Sequence, residues 1–267
     1  MLRRVLILAY GTSSYVLGLV TLLYAAGFIG GFATPTRLDG PRQVSLGAAL
    51  AVDLGLIAVF VLQHSGMARP EFKRWWVRFV PEAAERSTYV LLSSLALMLL
   101  FWSWQPVGGV VWSTGDTAGR AVLYAGFGAG WLVVLAATFL INHFDLFGLR
   151  QVWLYFRRRL YTPLQFKTPA LYRVVRHPLY VGWLLAFWAT PLMTSAHLVF
   201  AVALTVYILA AIRWEERDLA EAHPEYAAYR RRVPMLIPRW PSPTAGADSG
   251  VDRNPAMSAG LGASQAS

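Results

Sequence analysis

Apolar residues in this chain run in long stretches separated by short polar loops. Val5 to Phe32, Leu46 to Leu62, Thr88 to Trp104 and Ala121 to Ile141 each approach or exceed the roughly 20 residues that a helix needs to cross a hydrocarbon core about 30 Å thick. A fifth run, Val181 to Ile212, would be about 48 Å long as one helix, well beyond that thickness. Thr190 and Pro191 interrupt it. It therefore predicts a hairpin, Val181 to Ala189 entering and Ala196 to Ile212 returning, with the entering arm short enough to be partial or tilted. The pattern as a whole predicts an all-α integral membrane protein of five to six transmembrane helices, the last two forming the hairpin, followed by a polar C-terminal segment.

Composition agrees with that solvent. Of 267 residues, 56% are hydrophobic and 14% charged, and mean hydropathy is +0.45, a membrane rather than a soluble profile. The first run is too long for a signal-peptide core and lacks a small-residue cleavage site, so it is expected to be retained. The chain has no cysteine, which excludes disulfides, thiolate metal sites and cysteine nucleophiles.

The formal charge of +10 is explained by position. Arg3 and Arg4, then Arg69, Lys73, Arg74, Arg78 and Arg86, then Arg150 to Arg176 fall in alternate loops, while the intervening loops hold few cations. The positive-inside rule predicts a cytoplasmic N-terminus and, with the hairpin, a cytoplasmic C-terminal segment. A bacterial inner membrane suits this arrangement. The basic residues are accounted for by membrane lipids rather than by nucleic acid. Residues 1–240 read as one membrane domain, and 241–267, rich in Pro, Gly, Ala and Ser, as a disordered tail.

Two polar clusters flank the hairpin and meet if it closes. In "RHPLYVGW", Pro178 suits the first turn of a helix whose free N–H groups favour an anion, and Gly182 permits close approach to the backbone. In "RWEERDLAEAHPEYAAYRRRVPMLIP", Glu215 and Glu216 can hold a cation or sugar hydroxyls, and Tyr226 and Tyr229 offer flat walls with polar tips. Such a set suits a ligand with a carboxylate, a positive centre, a sugar and an aromatic base, although headgroup-level aromatics and surface ion pairs have the same composition.

"RHPLYVGW", "RWEERDL" and "HPEYAAYRRRVPMLIP", in this order, resemble the C-terminal core of the isoprenylcysteine carboxyl methyltransferase superfamily over about residues 172–239. The resemblance implies an S-adenosylmethionine-dependent membrane methyltransferase whose cofactor is enclosed by His177, Pro178, Leu179, Tyr180 and Gly182 with Glu215, Glu216, Tyr226 and Tyr229. "QHSGMARPEFKRWW", "PEAAERSTYVLLSSLALMLLFWSWQP" and "FLINHFDLFGLRQVW" are similar to the branch of the superfamily that converts methanethiol to dimethyl sulfide, which implies a small thiol as acceptor. The same branch holds membrane proteins associated with nitrogen-oxide metabolism.

Gln63 and His64 close the second span, and Asn142, His143 and Asp145 the fourth. Ionisable groups at membrane depth are functional candidates by default. Thiol methylation needs alignment and deprotonation, so His64 or His143 is a candidate base, with Asp145 orienting an imidazole and Asn142, Gln63, Arg69 and Arg86 shaping the site. His197, at the hairpin turn, and His223 are poorer candidates. No local spacing of the HExxH kind supports a metal, and none is assigned. A lipid or prenylated acceptor, and a non-enzymatic transport or structural role, remain as alternatives.

Overall fold

The computed structural model describes residues 1–239, so the expected C-terminal tail lies outside the described residues. Five helices are long and apolar enough to cross a membrane: α1 (Leu2–Gly30), α2 (Leu46–Ala68), α4 (Glu82–Ser103), α5 (Thr117–Ile141) and α9 (Ser195–Ala222). With α8 (Pro178–Trp188) they form the expected all-α integral membrane bundle. Shorter helices α3 (Pro70–Trp76), α6 (His143–Leu146), α7 (Leu149–Phe156) and α10 (Tyr226–Arg232) lie between or after the spans.

Several helices begin earlier or end later than hydropathy suggests, because hydrogen bonding sets their ends. Ser45 accepts from the Ala48 amide ahead of α2, and Asp116 from the Gly119 amide ahead of α5, supplying partners to N–H groups that a helix start leaves free. At the other extreme, α9 runs beyond Ile212 as a charged helix, laced by Arg217 to Glu221 one turn on.

The helices pack in succession: α1 against α4, α4 against α2, α2 against α9, α9 against α8, and α8 against α5. The contact between α5 and α8 is close because both present glycine. A Cβ on Gly182 would lie 2.7 Å from the Gly130 carbonyl oxygen, and one on Gly130 2.7 Å from the Ala186 amide, so any side chain would force the helices apart. Near the far end of the bundle the core is aromatic, with Phe28, Phe101, Trp104, Phe187 and Phe200 buried together.

The hairpin has the predicted form with one addition. At 1.5 Å per residue, α8 rises only about 16 Å, half a hydrocarbon core, and the chain continues as an extended segment through β2 (Leu192–Thr194) before α9 begins. Extended backbone at that depth must find partners within the protein. They come from β1 (Val110–Ser113), which pairs antiparallel with β2, while Thr114 N–H donates to the Pro191 carbonyl and Ser195 N–H to that of Gly109. Hydropathy gives no sign of this ribbon. Thr194 also donates to Asp39, and His197 stands with Nδ1 3.5 Å from Asp39 and Nε2 2.8 Å from the Phe187 carbonyl. His197 is thus part of the staple that ties the hairpin turn to the loop after α1.

Candidate active site

The two motifs flanking the hairpin meet at its open end, the basic end of the bundle. Glu216 is their centre. Arg176 Nε donates to its Oε1 at 2.7 Å, His177 Nε2 lies 3.1 Å from the same oxygen, and Arg230 Nε stands 3.3 Å from Oε2. Arg176 also donates to the carbonyls of Arg230 and Val233, and the amides of Arg176 and His177 donate to those of Pro234 and Met235. The Arg176 and Glu216 side chains are 9% and 7% exposed, so this is a buried cluster whose geometry must repay its desolvation. The carboxylate of Glu216 is taken up by protein cations, Arg230 among them. Glu215 is the freer of the pair. Its side chain is 46% exposed, 3.8 Å from His177 Nδ1, and beside the Tyr180 hydroxyl.

The remaining motif residues divide similarly. Pro178 is buried at the first turn of α8, with Leu179 half-buried beside it. Gly182 spends its small size on α5, so the close approach expected there is made by a helix. Phe166 sits against both Tyr226 and Tyr229. Tyr229 donates to the Tyr172 carbonyl at 2.6 Å, and burial pushes its phenol up to about 12. The Tyr226 hydroxyl is buried without a hydrogen-bond partner among the described residues, and burial raises its pKa too. Both phenols stay neutral at physiological pH.

His64, near the basic end of α2, is gripped between Phe60 and Tyr89, each ring centroid 5.1 Å from its own. Ser93 Oγ lies 3.1 Å from Nδ1, and the Tyr89 hydroxyl 2.9 Å from Nε2. An imidazole that gives its Nδ1 proton to Ser93 keeps a lone pair on Nε2. Tyr207 of α9 accepts from Ser65 at 3.0 Å and packs on Phe60, and Arg69 holds Asp218 at 2.9 Å. Gln63 donates to Met67 Sδ, leaving its Oε1 buried and unpaired. Tyr180, beside Glu215, lies within electrostatic range of both Tyr89 and Tyr207. Sequence reasoning passed over Tyr89, Ser93 and Tyr207. The available signal was hydroxyls within an apolar span, with Tyr89 and Ser93 one turn apart on one face of α4.

His143 does not join them. Its Nε2 lies 3.0 Å from the Tyr15 hydroxyl and its Nδ1 2.9 Å from Thr138, while its ring stacks on Phe139 at 4.3 Å. None of these partners touches His64. Asn142 accepts from the Asp145 amide, and the Asp145 carboxylate is engaged by Arg150 at 2.7 Å and Tyr161 at 3.3 Å. Asp145 thus orients no imidazole, and the NHFD turn instead links α5 to α7. Burial lowers the His143 pKa from 6.5, so the folded state favours the neutral ring. The unfolded chain takes up the proton first as pH falls, and stability is lost below about 6.5. Thermal unfolding in detergent should show this decline, and His143→Phe should flatten it.

What can the arrangement around His64 and Glu215 bind? Beyond the Tyr226 hydroxyl and Gln63 Oε1, Arg86 Nε, one turn of α4 before Tyr89, is buried without a partner among the described residues. Unmet polar groups of this kind cost free energy unless a ligand meets them. An acidic group, several neutral phenols and donors without acceptors suit a zwitterionic ligand with hydroxyls and a cationic centre.

Residues 127–225 match the phospholipid methyltransferase family. The chain is 58% identical to the methanethiol S-methyltransferase of Crocosphaera subtropica, covering 89% of this chain and 93% of that protein. It is 51% identical to the methanethiol S-methyltransferase of Mycobacterium tuberculosis, covering 90% and 98%. A more distant likeness, 30% identity over 73% of this chain and 71% of the relative, is to Nurim of Xenopus laevis. No solved structure matches.

Proposed function

Because the chain belongs to the methanethiol S-methyltransferase family, we propose that it is an integral-membrane methyltransferase that converts methanethiol to dimethyl sulfide. The methyl donor is S-adenosylmethionine, and both termini face the cytoplasm of a bacterial inner membrane, as the alternation of basic loops favours. Identity of about half or more along nearly the whole of two such relatives carries this reading.

The unpaired buried donors and the free Glu215 fit the donor. Glu215 and Tyr180 border its positive and hydroxyl-bearing parts, His177 and Tyr226 close the pocket, and Tyr229 and Glu216 hold those walls in place. When bound, the donor supplies an electrophilic methyl group carried on a sulfonium. The acceptor must give up its proton, since a thiolate is the better nucleophile. An alkanethiol is a weaker acid than cysteine, whose reference pKa is about 8.5, so a base is useful at neutral pH. His64 is that base: its Nε2 stands among phenols rather than against a backbone partner, and the proton of the thiol passes to it. Phe60 and Tyr89 fix the ring, and Ser93 fixes its tautomer.

Headspace gas chromatography of cells expressing the protein and fed methanethiol should detect dimethyl sulfide above the vector control. With purified protein, formation should depend on added S-adenosylmethionine. No dimethyl sulfide under either condition would refute the assignment.

A further inference from the structure

A guanidinium N–H withdrawn from water needs a hydrogen-bond acceptor. Arg86, in the second turn of α4, is half-buried. Its Nε is shut from solvent and has no partner, and no carboxylate among the described residues stands within ion-pair distance of it. Nearby cations are better served: Arg69 holds Asp218, and Arg74 holds Glu71. Lys73, on the short helix α3, lies within electrostatic range of Arg86, Arg69, Glu85 and Asp218, so cations outnumber carboxylates in this corner. The guanidinium carbon of Arg86 lies 5.9 Å from the centre of the Tyr89 ring, whose hydroxyl touches His64. One side chain therefore separates an unpaired cation from the candidate base.

We propose that Arg86 is the anchor for the carboxylate of the methyl donor, with Lys73 adding charge to the same corner. The inference rests on S-adenosylmethionine being the donor and assigns the amino-acid end of that molecule to the α3–α4 corner. Its adenosine then extends toward Glu215 and Tyr180. An arginine suits a carboxylate because its planar fork offers paired donors.

The test is calorimetry on the detergent-purified full chain with two probes, S-adenosylmethionine and its decarboxylated analogue. Arg86→Gln should weaken the first by about ten- to a hundredfold, the range for a charge-assisted hydrogen bond, and leave affinity for the analogue at the parental level. Arg86→Lys, which keeps the charge without the fork, should lose less for S-adenosylmethionine and nothing for the analogue, and it serves if the glutamine variant does not fold. Equal losses for both probes would make Arg86 a structural residue and overturn the proposal, as would unchanged affinity for both. Failure of the parent protein to bind S-adenosylmethionine would overturn the donor assignment beneath it and the proposal together.

Discussion

His64→Ala should cut turnover by about 10²- to 10⁴-fold, the usual worth of a positioned general base, while donor affinity by calorimetry stays at the parental level. A base acts in its neutral form, so the parental rate should rise with pH and that limb should vanish in the variant. Ser93→Ala should lower turnover less, because the imidazole keeps its aromatic clamp and loses one of two hydroxyls within reach of Nδ1, the other being that of Tyr89. In the His64→Ala background the serine change should add nothing, the sign of a residue that acts through another. Parental turnover in His64→Ala across the pH range would remove the histidine from catalysis. His143→Ala should leave the limb in place, since His143 stands against Tyr15 and Thr138, away from the residues around His64.

Glu216→Ala should destabilise the protein by about 3–5 kcal/mol, the range for removing one partner of a buried ion pair. Most of that arises from Arg176, 9% exposed, since Arg230 is more than half exposed and regains water. Glu216→Gln should cost less, because it keeps an acceptor for Arg176. The measurement is thermal unfolding in detergent with size-exclusion chromatography as a check on the folded state. An unchanged midpoint together with lost donor affinity would place Glu216 against the donor instead of within the clasp.

The spans were legible because a bilayer imposes one length on every helix that crosses it, and the hairpin because Thr190 and Pro191 break a run too long for one crossing. The two C-terminal motifs were legible as neighbours for the same reason: a hairpin returns its ends to one side. The partnerships within the clasp were not. Arg230 reads as one of three consecutive arginines, and only the placement of α10 sets it on Glu216. For the histidines, sequence position gives depth in the membrane but not bearing within the bundle. His64 and His143 close spans at the same end, yet one faces Tyr89 and the other Tyr15. The ribbon was not legible because Val110–Ser113, though of strand-favouring type, is only four residues long and acquires meaning only beside the backbone it serves.

That ribbon makes the two ends of the molecule mechanically unequal. At the far end, main-chain pairing, Thr194 with Asp39, and the Trp104 indole donating to the Leu38 carbonyl bind loops from three parts of the chain into one rigid knot. At the basic end, α8 and α9 are joined through side chains around Glu216, with two main-chain bonds from Arg176 and His177 to the segment after α10. The bundle is thus built like tweezers with a riveted heel: if α8 and α9 part, the basic tips should yield before the heel, as hydrogen exchange at the two ends would show.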